Sequence, residues 1–311
     1  MKKIFATLAA VVLLSGSLAA KVVVTTFSNF SIDKNGSGFN LERVYLGYDY
    51  QFDEHWSAKA VYDAGKGSDE KLQRLGYLKN AYFNYKISGL SVKAGLTSTT
   101  AFNAQEKLWG YRYVAKSMMD DKGWQSSADL GLNLDYKFCD WLAADLSVFN
   151  GEGYKKLQSD KYFRYAAGIT AKPLDGLQLR VYGDLQPKDD VSTDYTLAFS
   201  AGYTCKRFRL GAEYDMDNNH NNVEGHSLRG LSCYGSVRVI DRLDIFARYD
   251  LGNSSTSADD AWSYAKDGQD IYAGLNFDAC KMVSLSPNVH ISKAKDGASS
   301  TCVAISAKVN F

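Results

Sequence analysis

The chain has 311 residues, and its 36 Lys and Arg residues nearly balance its 35 Asp and Glu residues. This near-neutral charge gives no argument for a nucleic-acid partner or an acidic partner. Beyond Ala19, no apolar run reaches the roughly 18 residues of a membrane-spanning helix. The 21 Tyr, 15 Phe and 26 Gly residues, with only three Pro, are typical of a chain that is mostly β-strand.

The N-terminus reads as a secretory signal peptide. Met1-Lys2-Lys3 is a basic start, Ile4 to Leu14 is an apolar stretch, and small residues follow. Ser17-Leu18-Ala19 is the best cleavage motif and Leu18-Ala19-Ala20 the second choice. We therefore expect residues 1–19 to be a cleaved signal peptide of a bacterial exported protein, and residues 20–311 to form a single domain.

The rest of the chain alternates apolar and polar residues with period two, which indicates β-strands with two unlike faces. The first and weakest segment runs from Val22 to Phe30, and the closing one from Thr301 to Phe311. About sixteen such segments can be counted. Short turns and longer gaps between them alternate strictly, with the short turns expected at one rim and the long loops at the other.

This spacing predicts an all-β fold: a transmembrane antiparallel up-and-down β-barrel of about 16 strands. An even strand number places both termini at the periplasmic rim, and the terminal Phe311 resembles the C-terminal recognition residue of bacterial outer-membrane proteins. A secreted β-sandwich or propeller would also show alternating strands. However, so many charges on the inner faces would be too costly in a dry core. They suit a water-filled barrel, which about 16 strands can enclose.

The charged inner faces provide the candidate pore lining. The basic residues predicted there are Arg43, Lys59, Lys93, Lys137, Arg164, Arg180, Arg209 and Arg248. Acidic residues, among them Asp49, Asp135, Asp145, Asp184, Glu213 and Asp250, share those faces. The lumen is therefore expected to carry mixed charge.

Several strand sequences resemble the phosphate-selective porin O and P family. They are Lys79-Asn80-Ala81-Tyr82-Phe83-Asn84-Tyr85, Leu90-Ser91-Val92-Lys93-Ala94-Gly95, Asp129-Leu130-Gly131 and Val148-Phe149-Asn150-Gly151. The resemblance covers residues 40–311. It implies a 16-stranded trimeric barrel whose long third extracellular loop is folded into the lumen, where it narrows the pore. Phosphate-specific members are expected to line the pore with basic residues, whereas the lumen here carries mixed charge.

Residues 97–125 lack alternation and form the longest predicted connection, the third loop. A loop of this length is usually functional or disordered, and its aromatic residues favour packing against the inner wall. The predicted constriction residues are Glu106, Lys107, Arg112, Lys116, Asp120 and Asp121. Two arrangements stay open: Lys107, Arg112 and Lys116 face the channel and attract anions, or they pair with Glu106, Asp120 and acidic residues of the wall.

Catalytic and metal-binding roles find little support. No Ser or Cys stands beside a base in a nucleophile motif, and the five Cys residues match no zinc spacing. Because the Cys count is odd, at least one thiol stays unpaired, and the pairing of the others cannot be deduced. His220 and His226 share one loop, where they either bind a metal or are simply solvated.

We therefore expect a bacterial outer-membrane porin for passive diffusion of small hydrophilic solutes or ions, with anion selectivity as an option. The expected partners are outer-membrane lipids, lipopolysaccharide, small solutes or anions and, from the resemblance, two further copies in a homotrimer. No cofactor, metal or catalytic residue is expected. The alternatives are a barrel that serves as an adhesin or structural protein and, less favoured, a barrel enzyme.

Overall fold

A computed structural model describes residues 20–65, 75–258 and 260–311. The strands are β1 (Ala20–Asp33), β2 (Gly36–Gln51), β3 (Trp56–Gly65), β4 (Leu75–Ile87), β5 (Leu90–Ser98), β6 (Ala128–Cys139), β7 (Leu142–Phe149), β8 (Arg164–Ala171), β9 (Leu177–Gln186), β10 (Asp194–Thr204), β11 (Phe208–Asn218), β12 (Ser227–Ile240), β13 (Leu243–Ser255), β14 (Gly268–Asp278), β15 (Val283–Ala294) and β16 (Ser299–Asn310). Two short helices lie between β5 and β6: α1 (Asn103–Trp109) and α2 (Met118–Lys122). A 3₁₀ turn covers His220–Asn222.

The strands form one closed barrel in which each strand pairs with its sequence neighbours in antiparallel fashion. The barrel closes between β1 and β16, from Thr25 opposite Asn310 to Ile32 opposite Val303. The backbone N–H of Phe311 then donates to the Val24 carbonyl at 2.9 Å. Closure leaves no unpaired sheet edge. The predicted sixteen-stranded antiparallel barrel is confirmed.

The two faces of the barrel differ as the alternation predicts. On β11, Leu210 and Tyr214 point outward and are exposed, whereas Glu213 and Asp215 point inward and are buried. The outer surface as a whole is covered with exposed apolar residues such as Phe83, Leu132 and Ile305. An apolar exterior that meets lipid and a polar interior are what a membrane barrel requires.

The prediction that short and long connections alternate strictly is wrong at both ends of the chain. Only Lys34 and Asn35 connect β1 to β2, and only residues 295–298 connect β15 to β16. The stretch after Phe30 is rich in Ser, Gly and Asn and therefore resembled a loop. It continues the hairpin because Asn40 donates to Asn29 and Ser31 across the strands, and Phe30 packs on Phe39.

The remaining connections keep the predicted order. One rim, called the lower rim here, carries the two chain ends and short turns such as Ser88–Gly89 and Asp241–Arg242. Ser88 and Arg242 adopt positive φ values of 49° and 71°, as two-residue hairpin turns demand. The opposite or upper rim carries the connections 99–127, 150–163, 187–193, 219–226 and 256–267.

The predicted signal peptide, residues 1–19, and the β3–β4 connection, residues 66–74, lie outside the described residues. In the described part of the chain, no helix has the length and apolar character needed to cross a bilayer.

Candidate channel constriction

The connection between β5 and β6, residues 99–127, is called the inner segment here because it contacts inward-facing side chains of many strands. Its helices α1 and α2 each end at a glycine in the left-handed region, Gly110 with φ of 76° and Gly123 with φ of 78°. Glycine adopts this conformation without the cost that a side chain would add. The two short helices can therefore turn sharply inside the barrel.

One side of the inner segment is an aromatic anchor. Trp109 is 2% exposed and lies edge-on against Tyr111, Tyr234 of β12 and Phe246 of β13, with ring centroids 5.2 to 5.8 Å apart. The Trp109 Nε1–H donates to the Ala115 carbonyl at 2.9 Å. Aromatic pairs in this geometry add stability beyond the area they bury. The aromatic residues of the predicted loop therefore pack against the inner wall.

Glycines on the wall make room for this side of the segment. A Cβ at Gly230 would lie 2.3 Å from the Met118 methyl group, and one at Gly252 would lie 2.7 Å from Cε of Lys122. Gly202 and Gly211 leave similar space for Leu108. These four glycines of β10 to β13 form a seat for the inner segment.

Polar contacts fix the seated segment further. The Tyr111 hydroxyl donates to Asp244 at 3.2 Å, and Lys122 Nζ donates to Asp270 at 3.2 Å. Arg248 donates to the backbone carbonyl of Lys116. These contacts reach β13 and β14, on the far side of the barrel from β5, so the segment extends across the lumen.

The other side of the inner segment carries a compact ion network. Arg112 Nε lies 2.7 Å from Glu106 Oε2, and Arg112 Nη2 lies 3.2 Å from Asp120 Oδ2. Lys116 Nζ lies 3.4 Å from the second oxygen of Asp120. Burial raises the pKa of Glu106 against the opposing effect of Arg112. Burial acts the same way on Asp120, but Arg112 and Lys116 hold its pKa below the ordinary value.

A second network lies on the facing wall of β2, β3 and β4. Asp63 is its centre, with Arg43 Nη1 at 2.9 Å and Lys79 Nζ at 3.7 Å. The Tyr154 hydroxyl, from the β7–β8 connection, donates to Asp63 at 3.1 Å. Lys79 also lies over the ring of Tyr45 at 5.1 Å from its centroid, which is a favourable cation–π distance.

Lys155 joins the two networks from above. Its Nζ lies 5.3 Å from the ring centroid of Tyr77 and 5.7 Å from that of Tyr154. Burial, and next the positive charges of Arg43 and Lys116, lower the pKa of Lys155. Since Arg43 stands on the wall and Lys116 on the inner segment, Lys155 is close to both sides. The two networks and Lys155 are together called the constriction cluster.

The predicted constriction residues do not all belong to this cluster. Glu106, Arg112, Lys116 and Asp120 do, and in the described part of the chain Arg112 and Lys116 pair with acids as the second of the two open arrangements requires. Lys107 instead lines a cavity of about 1380 Å³ near the lower rim. The backbone carbonyl of Asp121 accepts a hydrogen bond from Lys266.

The predicted pore-lining residues differ in where they lie and in what they contact. Arg43 belongs to the constriction cluster, and Arg209 lies over the Tyr111 ring at 4.9 Å. Three arginines are held by wall carboxylates: Arg164 by Asp184, Arg180 by Asp145 and Arg248 by Asp250. Lys59, Lys93 and Lys137 pair with Asp49, Asp135 and Asp140 towards the lower rim.

The sequence-based reasoning missed Lys79 and Lys155. Lys79 lies two and four residues before the outward-facing Ala81 and Phe83. The alternation therefore predicted that Lys79 also faces outward. A bulge shifts the β3–β4 register there, since Val61 pairs with Asn80 but Tyr62 pairs with Leu78. The bulge turns Lys79 inward. Lys155 lies in an irregular connection, where no periodicity indicates direction.

The histidines and cysteines carry no metal-site geometry in the described residues. His220 Nδ1 lies 2.8 Å from Asp217, and His226 Nε2 lies 2.7 Å from Asp260. The His226 ring also stacks on Trp262 with centroids 4.0 Å apart. All five cysteines are free thiols, and Cys139, Cys233 and Cys280 are exposed.

A closed, sixteen-stranded antiparallel barrel with an apolar exterior and a charged interior is the architecture of outer-membrane channels. Solved structures match this chain in fold. OmpF of Salmonella typhi, in complex with daunomycin, matches with a TM-score of 0.73 and 11% identity over 94% of this chain and 97% of its own. An anion-selective porin from Comamonas acidovorans matches with a TM-score of 0.69 and 12% identity, over 95% of this chain and 100% of its own.

A trimer form of OmpT, an outer membrane protein of Vibrio cholerae, matches with a TM-score of 0.67 and 11% identity over 95% of this chain and 100% of its own. At these identities the likeness establishes the fold. No family model matches the chain. No curated protein matches it either.

Proposed function

We propose that the protein is a bacterial outer-membrane porin that admits small hydrophilic solutes by passive diffusion and prefers anions. The observation that carries the preference is the charge of the constriction cluster. Five basic side chains, Arg43, Lys79, Arg112, Lys116 and Lys155, lie with three acidic ones, Asp63, Glu106 and Asp120. Because charged side chains that line a pore set its selectivity, this excess of positive charge favours anions.

The preference is for anions in general and not for phosphate. A phosphate site would require cations free to form bidentate contacts with the ligand. In the described structure Arg112 already contacts Glu106 and Asp120, and Arg43 contacts Asp63. The cavity near the lower rim is called the lower vestibule here. It is lined by basic and acidic residues alike, among them Lys93, Lys107, Asp135 and Asp145. This arrangement supports weak selectivity among small anions.

The remaining parts of the proposal concern location and assembly. We expect residues 1–19 to be removed as a signal peptide, on the evidence of their sequence. Outer-membrane lipid and lipopolysaccharide would then surround the apolar exterior. A homotrimer is supported by the trimer form of the Vibrio cholerae neighbour, and native mass spectrometry of the detergent-solubilised protein tests it. A mass of one or two chains would contradict this part.

The channel function itself is tested by incorporating the mature protein into planar bilayers and liposomes. We expect stepwise current increments in the bilayers and faster liposome swelling with small sugars than with large ones. A heat-modifiable, folded protein that gives neither current nor swelling would contradict the channel function. It would favour an adhesin or structural barrel instead.

A further inference from the structure

Two acidic residues of β11 lie beneath the inner segment and carry oxygen atoms that have no partner. Asp215 is fully buried, and among the described residues neither of its carboxylate oxygens has a hydrogen-bond partner. The Oε2 atom of Glu213 and the hydroxyl of Ser232 are also buried without a partner there. Glu213 lies directly opposite Ser232 in the β11–β12 register, and it shares one face of β11 with Asp215. The wall therefore presents four unsatisfied oxygens close together.

The inner segment contributes further oxygen atoms above them. The side chain of Gln105 faces Glu213, and its Nε2 donates to the Ala101 carbonyl at 3.4 Å. Its Oε1 is buried and has no partner in the described part of the chain. The hydroxyl of Ser117 is in the same condition, and the backbone N–H of the next residue, Met118, faces Glu213. Oxygens without partners thus lie on both sides of the contact between segment and wall.

Acidic residues outnumber basic ones at this contact. Asp250 of β13 lies opposite Ser232 and continues the row across the strands that begins with Glu213. On β13 itself, Arg248 donates from Nε to Asp250 at 2.8 Å. One guanidinium group therefore stands against the three carboxylates of Glu213, Asp215 and Asp250. Two negative charges are left without a counterpart.

Other basic side chains around this row are engaged elsewhere. On the inner segment, Lys122 donates to Asp270 at 3.2 Å and to the Lys266 carbonyl at 3.0 Å. On β12, Arg229 donates to the side-chain oxygen of Asn218 at 2.7 Å. Buried water molecules would supply hydrogen bonds but no positive charge. Because uncompensated charges are costly to bury, the contact requires a positively charged ligand.

We propose that this contact is a Ca²⁺ site that fastens the inner segment to the wall. Its ligands are both oxygens of Asp215, one each of Glu213 and Ser232, and one each of Gln105 and Ser117 on the segment. Ca²⁺ takes about six to eight oxygen ligands in flexible geometry, whereas Mg²⁺ demands a near-ideal octahedron and keeps several waters. The described residues contain no group of three acidic, His or Cys ligands. In this site, neutral oxygens complete a pair of carboxylates, and the double charge of the ion balances them.

The ion links the position of the inner segment to the Ca²⁺ concentration. Because the ligands come from both the segment and the wall, the complete site exists only while residues 99–127 are docked. Binding to the docked state alone favours docking by about 100-fold when Ca²⁺ is present at about 100 times its Kd. This role goes beyond passive diffusion, and the site forms whether or not the barrel conducts.

Binding is tested with Tb³⁺, which replaces Ca²⁺ in oxygen sites and emits light when a nearby indole is excited. Trp124 lies against Gly230, the residue opposite Asp215, so its indole can serve as the donor. The detergent-solubilised full barrel should show saturable emission that Ca²⁺ displaces. Asp215→Asn, which keeps the shape and removes a charged ligand, should weaken binding by roughly tenfold or more. Asp241→Asn, in an exposed turn at the lower rim, is the matched control and should bind as the wild type does.

Hydrogen–deuterium exchange of amides 101–125 at constant pH supplies the second readout, with Glu213→Gln as a further variant should Asp215→Asn not fold. Wild-type protection should be up to about 100-fold greater with saturating Ca²⁺ than with EDTA, and the variants should not respond. Absence of saturable Tb³⁺ emission in the wild type, or equal protection in Ca²⁺ and EDTA, would overturn the proposal. So would emission that both variants retain, since it would place the ion elsewhere. A barrel that binds Tb³⁺ but passes no current would contradict the channel function alone.

Discussion

The two sides of the inner segment differ in composition and in the kind of contact they make. The side that faces β10 to β14 presents Leu108, Trp109 and Met118, which fit against wall glycines and aromatic rings. The side that faces β2 to β4 presents Arg112 and Lys116, which form ion pairs. Packing in a dry seat is specific and strong, whereas the attraction within partly buried ion pairs is offset by the cost of removing the charges from water.

The two sides of the inner segment are therefore expected to have separate roles, one in fixing the position of the segment and the other in ion selectivity. The apolar side holds the segment across the lumen, so the charged side is free to meet ions without having to secure the fold. Substitutions on the apolar side should therefore change the width of the pore. Substitutions on the charged side should change which ions pass.

The largest effect is expected on the apolar side, for Trp109→Ala. Truncation of a buried Trp costs about 3–5 kcal/mol, and here the loss falls on the docking of the inner segment. Single-channel conductance should rise clearly, with noisier open levels. Trp141→Ala is the control, because Trp141 is 54% exposed on the lower rim and its conductance should equal that of the wild type. An unchanged conductance in Trp109→Ala would refute the role of the aromatic anchor.

The next effect concerns the charged side, with Arg112→Gln. A unit charge a few ångströms from the ion path is worth about 1 kcal/mol even in water, which corresponds to roughly a fivefold change in permeability ratio. Since the change also leaves Glu106 and Asp120 without their shared cation, the preference for anions should fall by at least that factor. The reversal potential in a salt gradient measures it. Arg112→Lys, which keeps the charge, should retain most of the preference, and equal losses in both variants would argue against a charge effect.

A smaller effect separates Lys155 from Lys107, which the structure places in different parts of the lumen. Lys155→Met should lower the anion-to-cation permeability ratio by about two- to fivefold, because Lys155 belongs to the constriction cluster. Lys107→Met should have less than half that effect, because Lys107 lines the lower vestibule and does not belong to the constriction cluster. Measurements at low salt keep screening small. A larger effect for Lys107→Met would move the selective region to the vestibule.

The smallest effect is a pH dependence of the reversal potential. Since the pKa of Lys155 is lowered, this residue should lose its charge at a lower pH than an ordinary lysine, and anion preference should decline on the alkaline side. The pKa of Glu106 is raised, so acidification should neutralise it early and strengthen the preference. Lys155→Met should remove the alkaline decline and Glu106→Gln the acid increase. A profile that neither variant alters would contradict both assignments.

The barrel could be predicted from the sequence because one strong rule acts on every strand. Lipid outside and water inside force period-two alternation, and β11 shows it residue by residue in its burial pattern. The rule failed near Lys34, where short polar side chains form a cross-strand ladder that has the composition of a loop. Composition alone does not distinguish a polar hairpin from a loop.

The constriction was only partly predictable for a different reason. Residues of the inner segment stood out by their length and composition, and Glu106, Arg112, Lys116 and Asp120 are brought together by that segment. The opposing residues come from distant parts of the chain. Lys79 depends on a register shift in β4, and Lys155 depends on the path of an irregular connection. Neither position follows from the alternation of residues within a single strand.

The most direct test of the central claim is the reversal potential of the mature wild-type protein in a planar bilayer under a potassium chloride gradient, compared with the Lys79→Met, Lys155→Met double variant. If the constriction cluster selects anions, the wild-type potential has the sign of chloride permeation and the double variant moves towards zero or beyond it. A cation-selective wild type, or a double variant with the same potential as the wild type, would contradict the assignment of selectivity to this cluster.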